Sequence, residues 1–246
     1  YALVPGRRAT HGYDGTMSKS SREIELKLEV SPQTQDLIKK ITAPDGFTGS
    51  RAVNKTLQSI YFDTVDQALR KAKISLRVRK VGGSWIQTAK IGTGVVAGFS
   101  NPVEAEHPVK GRAIDFSVID DPAVVKVLTE TIDDAPLFEC FETIIKRTTR
   151  ILTSKADGSE IEAAFDTGEV KAGRASQALS EVELELKSGS SSALFDAARG
   201  LIGDAPFRFS PYSKAERGYR LADGKSDARI APKLADTISL HAEESV

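Results

Sequence analysis

The sequence predicts a mainly β (α+β) fold, an antiparallel β-barrel with flanking helices. Three observations predict it. Apolar and charged residues alternate at period two over many short segments. Turn residues separate those segments at hairpin spacing. A few intervening stretches change to helical period with one apolar face. Many antiparallel strands with a few helices between them describe an up-and-down barrel or a sandwich.

Residues 22–30, REIELKLEV, open the pattern: Ile24, Leu26, Leu28 and Val30 point one way, Glu23, Glu25, Lys27 and Glu29 the other. Pro32 starts a short helix over 33–41, with Leu37, Ile38 and Ile41 on one face. Gly46 and Gly49 mark a loop, and 55–62 is the next strand, closed by Asp63-Thr64. A helical turn at 66–71 leads to a strand over 73–80, and Gly82-Gly83 turns the chain into its partner over 84–91. Residues 92–100 are Gly-rich and read as a mobile loop, whose 92–98 part is either a gate for a small substrate or a plain linker. A strand over 101–109 carries Glu104 and Glu106 two apart. A helix spans 120–131, capped by Asp120 or Asp121 with Pro122 in its first turn. Strands follow at 138–146 running into 147–154, at 160–170 after the Asp157-Gly158 turn, and at 180–187. A helix over 191–203, a short extended piece at 206–210 and a helix over 214–221 complete the patterned region.

The domain reading is 17–222. Residues 1–16 lack an apolar period and precede Met17, the single methionine and the expected native start, so they read as a leader or expression remnant. Residues 223–246 are a polar tail with a weak helical pattern from Ala231. Lys plus Arg equals Asp plus Glu at 34 each, which argues against bulk electrostatic binding of nucleic acid. The single Cys140 excludes an intrachain disulfide and suits a reducing compartment, so the expected location is cytoplasmic. No apolar run approaches a membrane span.

One alternating strand is explained well enough by solvent on its polar face. Here whole strands carry one sign: Glu, Glu, Lys, Glu in the first, Lys73, Ser75, Arg77, Arg79 in another, Glu181, Glu183, Glu185, Lys187 in a late one. Like charges side by side in a solvated sheet gain nothing. The amphipathic helices also need an apolar surface to cover, which an apolar outer face supplies, leaving the charged set to the lumen. Clustered carboxylates without His or Cys select a hard divalent cation. Arg and Lys in the same lumen select an anion such as phosphate. The joint expectation is a polyphosphate with one or two divalent cations, Mg²⁺ or Mn²⁺.

The residues that carry this pattern also resemble a known family, the CYTH superfamily of triphosphate tunnel metalloenzymes. Glu23-Ile24-Glu25-Leu26-Lys27 resembles its N-terminal ExExK signature, and Tyr61-Phe62-Asp63-Thr64 its second strand ending. Ser75-Leu76-Arg77-Val78-Arg79 resembles the basic LRxR strand and Thr88-Ala89-Lys90 the T-x-K strand. Val103-Glu104 and Arg147 fall where the family has an acidic residue and a strand arginine. Phe165-Asp166 with Gly168-Glu169-Val170-Lys171-Ala172-Gly173 is similar to the bacterial inorganic triphosphatase branch. Glu181-Val182-Glu183-Leu184-Glu185-Leu186 resembles the second acidic strand, and Ser213-Lys214-Ala215 with Arg217-Gly218-Tyr219 the terminal SKxxRGY motif. The ordered set covers roughly residues 22 to 221.

The resemblance implies a closed, eight-stranded antiparallel tunnel that takes tripolyphosphate or another triphosphate with a divalent metal. It implies hydrolysis of inorganic triphosphate, with two alternatives: a class IV-type adenylate cyclase or organic triphosphate hydrolase, and a non-catalytic polyphosphate-binding module. It also implies a helical CHAD domain after the barrel, for which 228–246 resembles the linker. The implied metal ligands are Glu23, Glu25, Asp166, Glu181, Glu183 and Glu185. The implied triphosphate clamps are Lys27, Arg77, Arg79, Lys90, Arg147, Lys214 and Arg217. Lys27, Arg77 and Glu104 are the catalytic candidates, Glu104 being equally suited to pairing a lumen Arg. No nucleic acid or membrane partner is expected. His11, His107 and His241 show no ligand spacing, Cys140 reads as a small buried hydrophobe, and Trp85 and Tyr219 as packing or rim residues.

Overall fold

The alternation commits one side of each strand to apolar packing, and the helices that follow supply the cover. In the computed structural model, residues 21–92 and 94–225 are described. Residues 1–20, Thr93 and 226–246 lie outside the described residues, and with them the segment expected to be a leader, 1–16, Met17, His11, His241 and most of the expected tail. The elements run β1 (Ser21–Arg22), β2 (Ile24–Val30), α1 (Pro32–Ile38), β3 (Phe47–Gly49), β4 (Val53–Asp63), α2 (Ala68–Lys71), β5 (Ile74–Val81), β6 (Ser84–Ile91), β7 (Phe99–Ser100) and β8 (Val103–Val109). They continue with α3 (Pro122–Ile132), β9 (Phe138–Ser154), β10 (Glu160–Ala172), β11 (Ala175–Ser188), α4 (Ser191–Ile202), β12 (Phe207–Phe209) and α5 (Lys214–Ala222).

The strands form one sheet in the order β1-β8-β6-β5-β4-β9-β10-β11-β2-β12, with β3 on β9 and β7 on β2. Every ladder is antiparallel. The sheet curls, and its two ends meet on the first strand, which is interrupted at Glu23. Ser21–Arg22 pairs with β8, whereas Ile24–Val30 pairs with β11. Counting β1 and β2 as one strand, eight strands run around the barrel, as expected. The seam is looser than the expected full closure: two residue pairs join β1 to β8 and two join β2 to β7.

Both ends of the alternation are buried. On the outer face Leu26, Leu28, Ile161, Phe165, Val182 and Leu184 pack under Leu194, Ala197 and Leu201 of α4 and Ile38 of α1. On the other flank Ile60, Phe62, Leu76, Val78 and Ala89 pack under Val124, Leu128 and Ile132 of α3 and Leu69 of α2. Asp121, rather than Asp120, caps α3 by accepting from Ala123 N at 2.9 Å.

Several boundaries differ from the sequence reading for identifiable reasons. The expected loop at Gly46–Gly49 contains β3, and the expected loop at 92–100 ends in β7; both are short pieces that satisfy an edge of a longer strand. The pieces 138–146 and 147–154 are one continuous strand of 17 residues. Strand β5 starts one residue late because Lys73 has φ +57°, a turn conformation. Helix α1 stops at Ile38 and buries Thr34, Gln35 and Ile38, so Leu37 is 65% exposed instead of covered.

The last helix forms where the pattern places it, and its packing is what the pattern did not foretell. α5 lies against the concave face, where Ala215 and Tyr219 pack on Leu57, Tyr61, Phe141, Ile145, Val170 and Leu179. Part of the lumen wall is therefore apolar and plugged, and the charged zone occupies the remainder. Gly218 makes this approach possible: a Cβ there would lie 2.0 Å from the Phe141 ring.

Candidate functional site

Strand register sets the charges side by side. Lys27 of β2 lies opposite Glu183 of β11, Glu25 opposite Glu185, Asp166 of β10 opposite Glu181, and Arg147 of β9 opposite Asp166. All of these belong to the inward parity. Lys214 enters the same space from the first turn of α5, whose N-cap Ser213 accepts from Glu216 N at 3.2 Å.

The side chains form one dense cluster. Lys27 Nζ lies 2.8 Å from Glu183 Oε1 and 2.5 Å from Glu25 Oε2. Arg147 donates twice to Asp166, Nε to Oδ1 at 2.7 Å and Nη2 to Oδ2 at 2.6 Å, and also reaches Glu183 Oε2 at 2.5 Å. Lys214 Nζ sits among three carboxylates: Asp166 Oδ2 at 2.8 Å, Glu183 Oε1 at 2.7 Å, and Glu181. Asp166 is 0% and Glu181 1% exposed.

A second group adjoins it. Lys90 bridges Glu23 at 2.5 Å and Glu104 at 3.2 Å, and Arg77 lies 3.8 Å from both Glu104 and Glu106. Arg217 pairs with Glu29, which also holds Arg208, and donates to Ser210 Oγ at 2.9 Å. Arg79 differs from the rest. Its Nε donates to Ser59 Oγ at 2.9 Å, and no carboxylate pairs with it among the described residues. Glu185 stands toward the rim, paired with Lys187 at 2.7 Å and partly exposed.

The spatial arrangement corrects one sequence inference. The signs are segregated along strands, but the barrel interleaves them: acidic β11 faces Lys27 and Lys214, and basic β5 faces the acids of β8. The strands therefore satisfy one another in large part. The unmatched charge is concentrated where Arg77, Arg79 and Arg147 approach. Burial and then the neighbouring Arg77 and Arg147 pull the Arg79 guanidinium down to about 10.

The carboxylates are driven in different directions. Burial raises Glu25, helped by Glu183 and opposed by Lys27. Burial also raises Glu181, against Lys214. On Glu183 burial acts the same way, but Lys214, Lys27 and Arg147 together outweigh it and hold the carboxyl well below the usual range. Burial, then Glu23, pushes Glu185 up to about 7.

A native carboxyl that binds its proton more tightly than the unfolded one loses stability as pH rises between the two pKa values. For Glu185 the window runs from about 4.5 to about 7. In chelator, Glu185→Gln is expected to match the parent's melting temperature below about pH 4 and exceed it above about pH 8. Thermal melts across that range check this; equal melting temperatures at high pH would show that Glu185 carries no buried strain.

The donor chemistry fits a hard divalent cation. Asp166, Glu181 and Glu183 each offer an oxygen within 4.8 Å of the others, with no nitrogen or sulfur ligand. Glu181 Oε2 is buried and has no hydrogen-bond partner among the described residues. Glu23 and Glu25 lie in the adjoining network, tied to Lys90 and Lys27.

Sequence reasoning passed over several residues that the structure places here. Glu29 shares the phase of Glu23, Glu25 and Lys27, so its signal was available. Ser100, 3.4 Å from Glu25 Oε2, and Ser210 sit in short pieces with no period to read. Tyr61 lies against Arg77 on the neighbouring strand and stacks on Phe141 at 4.5 Å; burial raises its phenol, but Arg77 and Arg79 together outweigh burial and leave it lowered. Among the residues given no chemical role, Tyr219 packs on α5's buried face, Trp85 packs on the outer core, and burial pushes the Cys140 thiol up to about 11, which makes it a poor nucleophile.

Residues 21–219 match the CYTH domain family. An inorganic triphosphatase of Haemophilus influenzae is 33% identical over 226 residues, 91% of this chain and 62% of that protein, so the chain spans less than two thirds of the relative. Among solved structures, the fold is similar to a Hippeastrum protein, HpAC1, described as an adenylyl cyclase candidate with a dominant triphosphatase activity. The TM-score is 0.58 at 17% identity, over 82% of this chain and 96% of that one. No helix among the described residues is long and apolar enough to cross a membrane.

Proposed function

The chain belongs to the CYTH domain family, and from that premise we propose that it hydrolyses inorganic triphosphate bound along the charged part of the lumen. The observation that carries this reading is the guanidinium group of Arg77, Arg79 and Arg147, whose charge the neighbouring carboxylates leave incompletely matched at Arg79. An anion with several oxygens supplies the missing partner, and Arg forks suit phosphate. The relative named as an inorganic triphosphatase supports the same substrate.

Asp166, Glu181 and Glu183 would hold the divalent cation, Mg²⁺ or Mn²⁺, with Glu23 and Glu25 on its flank. When bound, such a cation supplies charge neutralisation at phosphate oxygens and a more acidic water. The chain's own residues do the rest. Arg77, Arg79 and Arg147 grip the phosphate oxygens, and Lys27, Lys90, Lys214 and Arg217 line the remaining path. Water attacks a terminal phosphorus, the anhydride P–O bond breaks, and its electron pair leaves with diphosphate. Glu104, 3.8 Å from Arg77, stands at the phosphate end and takes the water's proton. The preorganised cations stabilise charge as it develops.

Arg79→Ala is expected to lower kcat/KM for tripolyphosphate by about 10²-fold, the scale for loss of one preorganised charge. Since Arg79 has no carboxylate to abandon, its melting temperature stays near the parent's. Steady-state phosphate release and a thermal melt test both; unchanged kinetics would remove the arginine clamp.

One observation favours a second reading, an organic triphosphate. A cavity of about 420 Å³ is lined by Glu181 and Arg217 on its inner side and by Phe207 and Arg208 on its outer side. Its size and half-exposed Phe207 suit a planar group attached to the phosphates. Tripolyphosphate, ATP and long polyphosphate, each with Mg²⁺ or Mn²⁺, separate the readings. Phosphate from tripolyphosphate alone supports the proposal, turnover of ATP or a cyclic nucleotide the second reading, and binding without turnover a polyphosphate-binding module.

A further inference from the structure

Helix α1 carries a polar residue where its buried face calls for an apolar one. Gln35 is 0% exposed, beside Thr34 and Ile38 on the face that meets the sheet. Its Nε2 donates to two main-chain carbonyls, Asp166 O at 2.9 Å and Glu181 O at 2.8 Å. Its Oε1 is buried with no hydrogen-bond partner among the described residues. A leucine or methionine would avoid that desolvation cost and still fill the space. Simple attachment of the helix to the core does not explain an amide that is half unsatisfied.

The two carbonyls identify what the amide serves. Asp166 and Glu181 are register partners on β10 and β11. Their side chains project to the lumen, where both meet Lys214 Nζ. Gln35 approaches from the opposite side of the sheet. One amide nitrogen thus ties together, from behind, the backbones of two residues whose carboxylates converge in front. Groups that orient ligands in this indirect way change metal affinity without touching the metal.

We infer that Gln35 is a positioning residue for the carboxylate cluster, fixing the spacing of Asp166 and Glu181. This rests on reading those two with Glu183 as the cation site. Gln35→Met keeps the length of the side chain and removes both donors. It is expected to weaken Mn²⁺ binding about 10-fold, by calorimetry or electron paramagnetic resonance. In chelator its melting temperature should equal or exceed the parent's, because the unsatisfied oxygen goes too. Gln35→Asn, which draws the amide back by one methylene, should weaken binding in the same direction and serves if the first variant does not fold. Ile38→Ala is the control: it loosens the same helix without touching the amide, and should lose stability while keeping Mn²⁺ affinity.

Unchanged Mn²⁺ affinity in both Gln35 variants would overturn the inference. So would equal losses of affinity in Ile38→Ala, which would make Gln35 a helix anchor. If the parent binds no Mn²⁺, or Asp166→Asn leaves its affinity unchanged, the cation-site reading falls and takes this inference with it. An intact parent site with unaffected Gln35 variants sinks the inference alone.

Discussion

Glu183→Gln is expected to cut phosphate release from tripolyphosphate by about 10²–10³-fold, and to do so while weakening both metal binding and the fold. The carboxylate accepts from Lys27 at 2.8 Å and Lys214 at 2.7 Å through one oxygen, and from Arg147 at 2.5 Å through the other. Glutamine keeps one acceptor and presents an NH₂ to a cation that can only donate. Three buried cations lose their shared counter-charge, and breaking a buried ion pair from one side costs about 3–5 kcal/mol. Because the three cations hold the Glu183 carboxyl well below its ordinary range, against the effect of burial, protonation does not relieve the parent at working pH. An added anion gives the stranded cations a new partner, so tripolyphosphate should restore more melting temperature to the variant than to the parent. Calorimetric metal titration, thermal melts with and without tripolyphosphate, and phosphate release check the three parts. Near-parental turnover with unchanged metal affinity would remove Glu183 from the cation site.

That result depends on which side of the sheet each residue faces, and this much was legible in the sequence. Period-two alternation in 22–30 assigns Leu26 and Leu28 to one face and Glu25 and Lys27 to the other, and the structure keeps that division. The same parity places Arg77, Asp166, Glu181 and Glu183 inward. What alternation does not encode is who meets whom across the lumen. Lys214 lies among the acids because α5 folds back onto the concave face, a tertiary event with no trace in strand period. Short edge pieces such as β7 and β12 carry too few residues to show a period, so Ser100 in β7 and Ser210 just after β12 stayed invisible. Gln35 was hidden differently: α1 reads as amphipathic around Leu37, yet the face it buries is rotated onto Thr34, Gln35 and Ile38. A helix of 7 residues spans about two turns, too short for its apolar stripe to outvote a specific polar contact.

The placement of α5 makes Asp63 the residue whose loss should cost the fold most. It is 0% exposed, at the end of β4, and its carboxylate gathers four close donors, with the Thr64 hydroxyl farther off at 3.5 Å. Oδ1 accepts from Thr64 N at 2.8 Å and Leu69 N at 2.9 Å. Oδ2 accepts from Arg70 N at 3.0 Å and the Tyr219 hydroxyl at 2.7 Å. Helix α2 has only four residues and no side-chain cap of its own, so Asp63 supplies its first-turn N–H groups with an acceptor. Through Tyr219 it also fastens α5, and with it Lys214 and Arg217. Asp63→Ala strands all four donors in a site without water access, an expected loss of about 3–5 kcal/mol in denaturant unfolding. Tyr219→Phe removes one of the four bonds and should cost about 0.5–1.5 kcal/mol. Asp63→Asn falls between, since its amide can turn its NH₂ toward the tyrosine oxygen, which accepts, but not usefully toward Arg70 N, which only donates. The ordering Ala, Asn, then the tyrosine change is the test. If Asp63→Ala lies within about 1 kcal/mol of the parent, the buried carboxylate is not what clasps α5 to the barrel. If the ordering holds, tripolyphosphate turnover should fall alongside stability in Asp63→Ala, because two lumen cations ride on the helix it releases.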